Sequence, residues 1–284
     1  MTVPHLNSHL TRRAWWAIAG KRRLVQLGSL VFSNAAVLSA LRFLPCSYLQ
    51  CSNCAISTFT CPLILVQRGA VFASMGLFGM MSAKILGSVA VALAVLAFFG
   101  SAAGAWSCGW LCPFGFLQDL LHKIPVPKFR LPGWSGHLRL PLFLGLVVAV
   151  PYWTRSLFFC DVCPSGTINR LWQQAAGIPL QFKTPEGLLA VFSLVFLAVV
   201  LALALFTLRP FCNLLCPIGG FLGLFNRISG YHVAVDKERC ADCGRCQSLC
   251  PQGIDPVATP GHSQCNLCLE CTRACRFIGS DIRL

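Results

Sequence analysis

The segment CADCGRCQSLCP, from Cys240 to Pro251, holds four cysteines in the spacing C-x2-C-x2-C-x3-C followed by proline. A second segment, from Cys265 to Cys275, repeats this spacing without the trailing proline. Three thiolates on one tight loop can hold three corners of a [4Fe–4S] cube, and in two-cluster sequences the fourth cysteine ligates the other cluster. Zinc sites are the alternative, but they use paired C-x2-C segments rather than three consecutive cysteines. The two segments therefore predict two [4Fe–4S] clusters.

This pattern is typical of a bacterial 2[4Fe–4S] ferredoxin module, which we place at residues 231–284 because the composition turns polar from about Asn226. We expect residues 1–230 to form a transmembrane, cluster-binding domain. The predicted ligands of one C-terminal cluster are Cys240, Cys243, Cys246 and Cys275, and those of the other are Cys250, Cys265, Cys268 and Cys271.

The composition predicts an α-helical membrane protein. Hydrophobic residues make up 56% of the 284 residues and charged residues 11%, against roughly 25% charged in an average soluble domain. So few charges cannot cover the surface of a water-soluble protein of this size. Stretches of about 20 apolar residues are long enough to cross a bilayer. They predict four transmembrane helices, at about Leu24–Leu44, Ile85–Trp106, Leu138–Trp153 and Leu188–Leu208.

A further apolar stretch, Pro62–Met81, carries Gln67 and Arg68 near its start. We interpret it as a re-entrant or interfacial helix, and a fifth span is the alternative. No cleavable signal peptide is expected, because the first apolar stretch is long enough to span and lacks a small-residue cleavage site.

The excess of 23 Lys and Arg over 9 Asp and Glu gives a net charge of +14. Positive residues are enriched in the cytoplasmic loops of membrane proteins. This rule predicts an inner (cytoplasmic) membrane protein with both termini in the cytoplasm. No nucleic acid is expected as a partner, because no basic helix or nucleic-acid-binding motif accompanies the charge. The residues assigned to the cytoplasmic side are Arg12, Arg13, Lys21, Arg22, Arg23, Lys123, Lys128, Arg130 and Arg209.

The membrane part contains an internal repeat marked by Cys-Pro pairs. The pairs are Cys61-Pro62, Cys112-Pro113, Cys163-Pro164 and Cys216-Pro217, at intervals of 51, 51 and 53 residues. The residue before proline is disfavoured in a helix, whereas proline is favoured at the first helical position. Each pair therefore predicts a short half-helix with the cysteine at its N-cap. Free N–H groups and the positive end of the helix dipole at that position stabilise an anionic group.

Two of these pairs belong to C-x3-C-P motifs, CGWLCP at Cys108–Pro113 and CNLLCP at Cys212–Pro217. One span separates each Cys-Pro pair from the next, so successive pairs are expected at opposite membrane faces, and these two share the cytoplasmic face. Their four cysteines, Cys108, Cys112, Cys212 and Cys216, predict one more [4Fe–4S] cluster. The alternative is that they are buried cysteines without a ligand role.

The opposite face gathers six cysteines. By the repeat, Cys54, Cys61, Cys160 and Cys163 would form a matching cluster site, and Cys46 and Cys51 would form a disulfide or join an unusual cluster. The alternative is that all six pair as disulfides.

The combination of four spans, CGWLCP, CNLLCP and the two C-terminal cysteine segments resembles the membrane-bound polyferredoxins of the NapH, NosR and MauN type. The resemblance covers most of the chain. It implies a quinol dehydrogenase or an electron conduit that feeds periplasmic enzymes. The segments CSYLQCSNCAISTFTCP and CDVCP are additional to that family's pattern and indicate electron transfer as far as the outer face.

Three functions follow from these features. The first is one-electron transfer between the ferredoxin module, the membrane clusters and a periplasmic or membrane redox partner within a membrane complex. The second is a quinol dehydrogenase subunit of an oxidoreductase complex, with His122 and Asp119 as candidate proton acceptors. The third is an assembly factor for a periplasmic metalloenzyme. The chain has no nucleotide-binding loop and no C-x-x-C-H motif for haem attachment.

Overall fold

The computed structural model describes residues 21–30, 63–74, 83–129, 138–175, 186–275 and 277–282. The predictions for Cys46, Cys51, Cys54 and Cys61 lie outside the described residues, as does most of the first predicted span.

We call residues 1–230, the predicted membrane domain, the membrane part, and its described segments are mainly helical. Its helices are α1 (21–30), α2 (Leu63–Ser74), α3 (Ala83–Ala103), α4 (Trp106–Trp110), α5 (Pro113–Leu121), α6 (Arg139–Thr154), α7 (Phe158–Val162), α8 (Pro164–Ala175), α9 (Leu188–Phe206), α10 (Pro210–Leu214) and α11 (Pro217–Phe225).

The helices α3, α6 and α9 lie where the second, third and fourth spans are predicted. Within the described residues one helix, α9, is long and apolar enough to cross a membrane, with 19 residues and a mean hydropathy of 3.1. The apolar stretch Val89–Ala103 and α6 are shorter. On α9 the side chains of Leu188, Val191 and Val195 are 87%, 57% and 55% exposed. An exposed apolar surface of this kind marks contact with lipid or another protein.

Two prolines shape α6 without ending it. Pro141 lies in the first turn, where its missing N–H has no helical partner to lose. Pro151 lies deeper, and the six residues before Val150, Leu144–Ala149, form a π-helix in which the N–H of Val150 donates to the carbonyl of Gly145. A π-type turn is a common way to accommodate such a disruption.

The short helix α2 has 12 residues, which gives a length of about 18 Å at 1.5 Å per residue. It packs against α3 and against the C-terminal half of α6. The described part of the Pro62–Met81 stretch is therefore too short to cross about 30 Å of hydrocarbon.

One buried cluster joins the cysteine-bearing segments. It contains Leu63, Phe114, Phe143, Val147, Phe159, Val200 and Phe211. The rings of Phe114 and Phe211 meet edge to face with centroids 5.4 Å apart. Phe114 follows Cys112 by two residues, and Phe211 directly precedes Cys212. The packing of these rings therefore draws the two C-x3-C-P motifs together.

The C-terminal part contains a two-stranded antiparallel sheet, β1 (Tyr231–Val235) and β2 (Ile278–Ile282), in which Val235 pairs with Ile278. Two short helices lie between the strands, α12 (Arg245–Leu249) and α13 (Glu270–Ala274), and they pack against each other.

Candidate iron–sulfur sites

Cysteines precede the half-helices, as the Cys-Pro pairs predict. Cys112 is the N-cap of α5 and Cys216 is the N-cap of α11, each with proline at the first helical position. The helix α8 likewise begins at Pro164, directly after Cys163. The N–H of Gly115 lies 3.4 Å from the Cys112 sulfur. The N-cap prediction is confirmed for Cys112 and Cys216.

The structure brings Cys108, Cys112, Cys212 and Cys216 together. Burial raises the pKa of Cys108 to about 12, and charge on Cys112 and Cys212 acts in the same direction. Burial also raises the pKa of Cys216 to about 12, with the next contribution from Cys108. The pKa of Cys212 is raised by burial and then by Cys112 and Cys216. Cys112 and Cys216 also pack against the same buried cluster. The four thiols therefore lie close together, and we call this region the four-cysteine site.

A buried carboxylate beside this site holds two arginines. Asp119 lies 2.5 Å from Nη2 and 2.6 Å from Nε of Arg209, and 2.6 Å from Nη2 of Arg22. Burial acts to raise the pKa of Asp119, but the charge and hydrogen bonds of Arg209 outweigh it and hold this pKa below its usual range. The ion pairs therefore stabilise the fold fully above the ordinary pKa of about 3.9, and this stabilisation is lost as the pH falls through the lower folded-state pKa.

Arg209 connects the two C-x3-C-P motifs. Its side chain is 1% exposed, and its Nη1 donates to the carbonyl of Cys108 at 2.8 Å. Its backbone is left-handed, with φ of 48°, a conformation that costs a non-glycine residue roughly 1–2 kcal/mol. The bonds to Asp119 and Cys108 hold this backbone in place three residues before Cys212.

The second candidate proton acceptor, His122, ends α5. Its Nδ1 is buried and has no hydrogen-bond partner among the described residues. Burial, followed by the charge of Lys128, lowers the pKa of His122. Asp119 is held by Arg209 and Arg22, and the role of His122 and Asp119 as proton acceptors stays a prediction.

Arg139, at the start of α6, is a second buried arginine that donates hydrogen bonds to one of the C-x3-C-P motifs. It donates to the carbonyl of Asn213 at 2.6 Å and to its Oδ1 at 2.9 Å, and to the carbonyl of Ser263 at 3.2 Å. Arg139 as a whole is 5% exposed. Arg139 therefore links the CNLLCP motif to the C-terminal part.

The two C-terminal cysteine segments share one backbone conformation. Asp242 and Gly244 have φ of 48° and 66°, and the equivalent residues Leu267 and Leu269 have φ of 50° and 60°. Left-handed residues at these positions turn successive N–H groups into one concave surface, a geometry that binds anions and iron–sulfur clusters. The two segments are therefore structural copies.

The thiols of the second segment lie close together. Burial raises the pKa of Cys265 to about 12, and Cys268 and Cys250 add to the shift. The pKa of Cys271 is raised by burial and then by Cys268, Cys265 and Cys250. These four are the cysteines that the spacing assigns to one cluster. In the first segment burial raises the pKa of Cys246, and Cys240 adds to this shift.

The second cysteine segment packs directly on the CGWLCP motif. The indole Nε1 of Trp110 donates to the carbonyl of Leu267 at 2.9 Å. A Cβ on Gly109 would lie 2.1 Å from the carbonyl oxygen of Asn266. Asn226, after α11, donates to the carbonyl of Cys265 at 2.6 Å. Cys108 therefore lies beside the loop that carries Cys265 and Cys268.

We expect Trp110→Phe to weaken this contact. The Trp110 side chain is 2% exposed, so the change leaves the buried Leu267 carbonyl unpaired, which costs about 1–3 kcal/mol. The melting temperature should fall by roughly 2–12 °C at 2–4 °C per kcal/mol. Trp153→Phe is the control, because Trp153 is 76% exposed. Equal melting temperatures for the two variants would contradict the assignment.

The described part of the outer set is the pair Cys160 and Cys163. Cys163 packs against the same buried cluster as Cys112 and Cys216. Burial raises the pKa of Cys163, and Cys112 is near enough to add a smaller increase. Cys163 and the four-cysteine site therefore contact one common buried cluster. The placement of the two cysteine sets at opposite membrane faces stays a prediction.

Two buried glutamines in contact with sulfur were missed from sequence. Nε2 of Gln118 lies 3.3 Å from the Cys212 sulfur, and Nε2 of Gln67 lies 3.0 Å from the Cys160 sulfur. Among the residues described here, no group of three or more His, Cys, Asp or Glu side chains has the spacing for a single metal ion.

A family model described as a 4Fe-4S binding domain matches the chain three times, at residues 85–132, 137–183 and 189–233. Each match includes one of the Cys-Pro pairs, at Cys112, Cys163 and Cys216. The methylamine utilization ferredoxin-type protein MauN of Methylorubrum extorquens is 28% identical over 258 residues, which cover 87% of this chain and 79% of MauN. The chain belongs to a membrane-associated family of ferredoxin-type iron–sulfur proteins.

Further relatives in this family match over shorter lengths. The regulatory protein NosR of Pseudomonas aeruginosa is 33% identical over 176 residues, covering 58% of this chain and 22% of NosR. The putative electron transport protein YccM of Escherichia coli is 27% identical over 178 residues, covering 59% of this chain and 48% of YccM. The resemblance to NosR-type and MauN-type proteins is thereby confirmed. No solved structure matches the chain.

Proposed function

We propose that the chain is a membrane electron-transfer protein. It passes electrons between the C-terminal ferredoxin module and the four-cysteine site, and from there towards a periplasmic or membrane redox partner. The observation that carries this proposal is the contact of Trp110 with Leu267 at 2.9 Å. That bond places Cys108, in the membrane part, beside the loop of Cys265 and Cys268.

The four-cysteine site fits a [4Fe–4S] cluster in chemistry and in charge. Four soft thiols are the donor set that such clusters require. A cubane with four thiolates carries a charge of about −2. Three buried guanidinium groups, of Arg22, Arg139 and Arg209, donate to the backbone of the two motifs. The carboxylates of Asp119 and Glu270 pair with two of these arginines and leave one net positive charge. The surroundings therefore offset part of the cluster's charge.

A cluster bound at each cysteine set would supply the reversible uptake of one electron. The chain's own residues keep the sets close and exclude water between them. Trp110 and Leu269, which are 2% and 1% exposed, fill the space between the CGWLCP motif and the second cysteine segment. The exposed Cys243 leaves the first segment accessible to a soluble donor or acceptor.

The assignment of ligands follows the cysteine sets. We assign three clusters, to Cys240, Cys243, Cys246 and Cys275, to Cys250, Cys265, Cys268 and Cys271, and to Cys108, Cys112, Cys212 and Cys216. Cys160 and Cys163 would form a fourth site with Cys54 and Cys61. The proposal includes four spans in the inner membrane and cytoplasmic termini.

Metal analysis of the full chain purified in detergent tests the proposal. We expect at least about twelve iron atoms and as many sulfides per chain, four for each of three clusters. After reduction with dithionite, electron paramagnetic resonance should show signals from at least three clusters. Zinc in place of iron, or fewer than two clusters, would overturn the proposal.

A further inference from the structure

The repeat places a buried side chain six residues after each Cys-Pro cysteine. These side chains are Gln67, Gln118, Asn169 and Leu222, with exposed fractions of 0%, 0%, 2% and 3%. Both glutamines lie in helices that are otherwise largely apolar, LILVQRGAVFAS and PFGFLQDLL. A buried amide in such a helix costs free energy unless its polar atoms are hydrogen-bonded.

The two glutamines make the same contact. Gln118, in the second repeat, reaches the sulfur of Cys212 at 3.3 Å, 94 residues away. Gln67, in the first repeat, reaches the sulfur of Cys160 at 3.0 Å, 93 residues away. In each case the sulfur belongs to the first cysteine of the motif two repeats later. A contact that recurs at equivalent positions is a property of the repeat rather than a chance approach.

The surroundings of Gln118 fix the orientation of its amide. Its Oε1 accepts a hydrogen bond from the N–H of Phe211 at 3.3 Å. Its Nε2 also donates to the carbonyl of Phe114 at 3.3 Å. The oxygen therefore faces a backbone donor, so the remaining N–H of the amide faces the Cys212 sulfur.

From this geometry we propose that Gln118 and Gln67 are positioning residues. Each raises the reduction potential of the cluster whose sulfur it contacts. The inference rests on the proposed function, because it requires Cys212 and Cys160 to be cluster ligands. When a cluster takes one electron from its redox partner, its charge becomes more negative by one unit. An N–H donated to a ligand sulfur stabilises that more negative state more strongly.

The inference also assigns Cys160 to a cluster. If Cys160 had no redox role, an apolar side chain at position 67 would pack against its thiol as well as Gln67 does. The repeat instead gives Cys160 the same amide donor that Cys212 receives in the four-cysteine site. The reduction potentials of the two sites would then depend on the same kind of amide contact. Leu222, at the equivalent position of the fourth repeat, adds no second donor to the four-cysteine site.

Gln118→Met tests this inference, because methionine has a similar length and no N–H donor. The control is Ser193→Ala, since Ser193 is also buried but donates to the carbonyl of Ala190 at 2.9 Å, within α9, instead of to sulfur. Midpoint potentials of the full-length protein are measured by redox titration followed by electron paramagnetic resonance. Iron content is measured in parallel.

We expect Gln118→Met to lower the midpoint potential of one cluster only, as a five- to tenfold change in its reduction equilibrium. This corresponds to roughly 40–60 mV at 59 mV per tenfold. Gln67→Met should lower the potential of a different signal, and Ser193→Ala should move neither. Loss of one cluster in Gln118→Met but not in Ser193→Ala would also support the positioning role at Cys212.

Two results separate this inference from the proposed function. Full iron content with unchanged potentials in Gln118→Met and Gln67→Met would overturn the role of the glutamines and leave the proposed function standing. Fewer than two clusters in the unmodified chain would instead overturn the proposed function itself.

Discussion

Asp119→Asn is expected to destabilise the membrane part by about 3–5 kcal/mol, the cost of leaving one partner of a buried ion pair uncompensated. Arg209 is 1% exposed and lies 2.5 Å from Asp119, so its charge would keep no carboxylate partner and little water. The melting temperature in detergent should fall by roughly 6–20 °C, at 2–4 °C per kcal/mol. Because Arg209 also holds the carbonyl of Cys108, the variant should lose iron from the four-cysteine site.

The matched control is Asp236→Asn. Asp236 pairs with Arg239 at 3.7 Å, and their side chains are 30% and 66% exposed. Such surface pairs contribute little, so the change should stay within about 0.5 kcal/mol. The double variant Asp119→Asn/Arg209→Met should be less destabilised than the sum of its single variants, since it leaves no unpaired charge from this pair. Equal melting temperatures for Asp119→Asn and Asp236→Asn would refute the role of the pair.

Gly109→Ala is expected to separate the ferredoxin module from the CGWLCP motif. The new Cβ would lie 2.1 Å from the carbonyl oxygen of Asn266, and a backbone atom cannot move aside as a flexible side chain can. Gly223→Ala should act on the same loop, because its Cβ would lie 2.1 Å from the carbonyl oxygen of Ser263. Overpacking of this kind typically costs about 1–3 kcal/mol.

Hydrogen exchange measures this effect directly. Amides of residues 261–269 should exchange roughly 5- to 150-fold faster in Gly109→Ala, which corresponds to that loss of about 1–3 kcal/mol. Magnetic coupling between the four-cysteine site and the nearest C-terminal cluster should weaken. Gly145→Ala is the control, because a Cβ there meets nothing within 4 Å. If Gly109→Ala and Gly145→Ala give the same exchange rates, the packing argument is wrong.

Local rules explain what the sequence predicted well. The restriction that proline imposes on the preceding residue placed Cys112 and Cys216 at N-caps, and the structure has them there. The C-x3-C-P repeat predicted that Cys108, Cys112, Cys212 and Cys216 come together. The four-span topology and the ligand roles stay predictions.

The interactions that sequence reasoning missed are all between distant residues. The pair of Arg209 and Asp119 spans 90 residues, and nothing in the local pattern around either residue marks the other. Gln67 and Gln118 carried a usable signal, since each lies six residues after a Cys-Pro cysteine. The contact of Cys163 with the buried cluster that Cys112 and Cys216 also contact was missed, because counting spans does not show how the half-helices pack.

The paired left-handed residues of the C-terminal part have a consequence for its orientation. If the two cysteine segments of the C-terminal module presented identical surfaces, either segment could pack against the membrane part. The two ends differ here, since one carries Leu267 and Leu269, which are 3% and 1% exposed, where the other carries Asp242 and Gly244. Leu267 and Leu269 have an unfavourable left-handed backbone, and burial of their side chains against the membrane part offsets that cost. A carboxylate such as that of Asp242 could not be buried there without a partner. The module therefore has a built-in polarity: the end that carries Leu267 and Leu269 is buried against the rest of the chain, and the end that carries Asp242 and Gly244 is exposed.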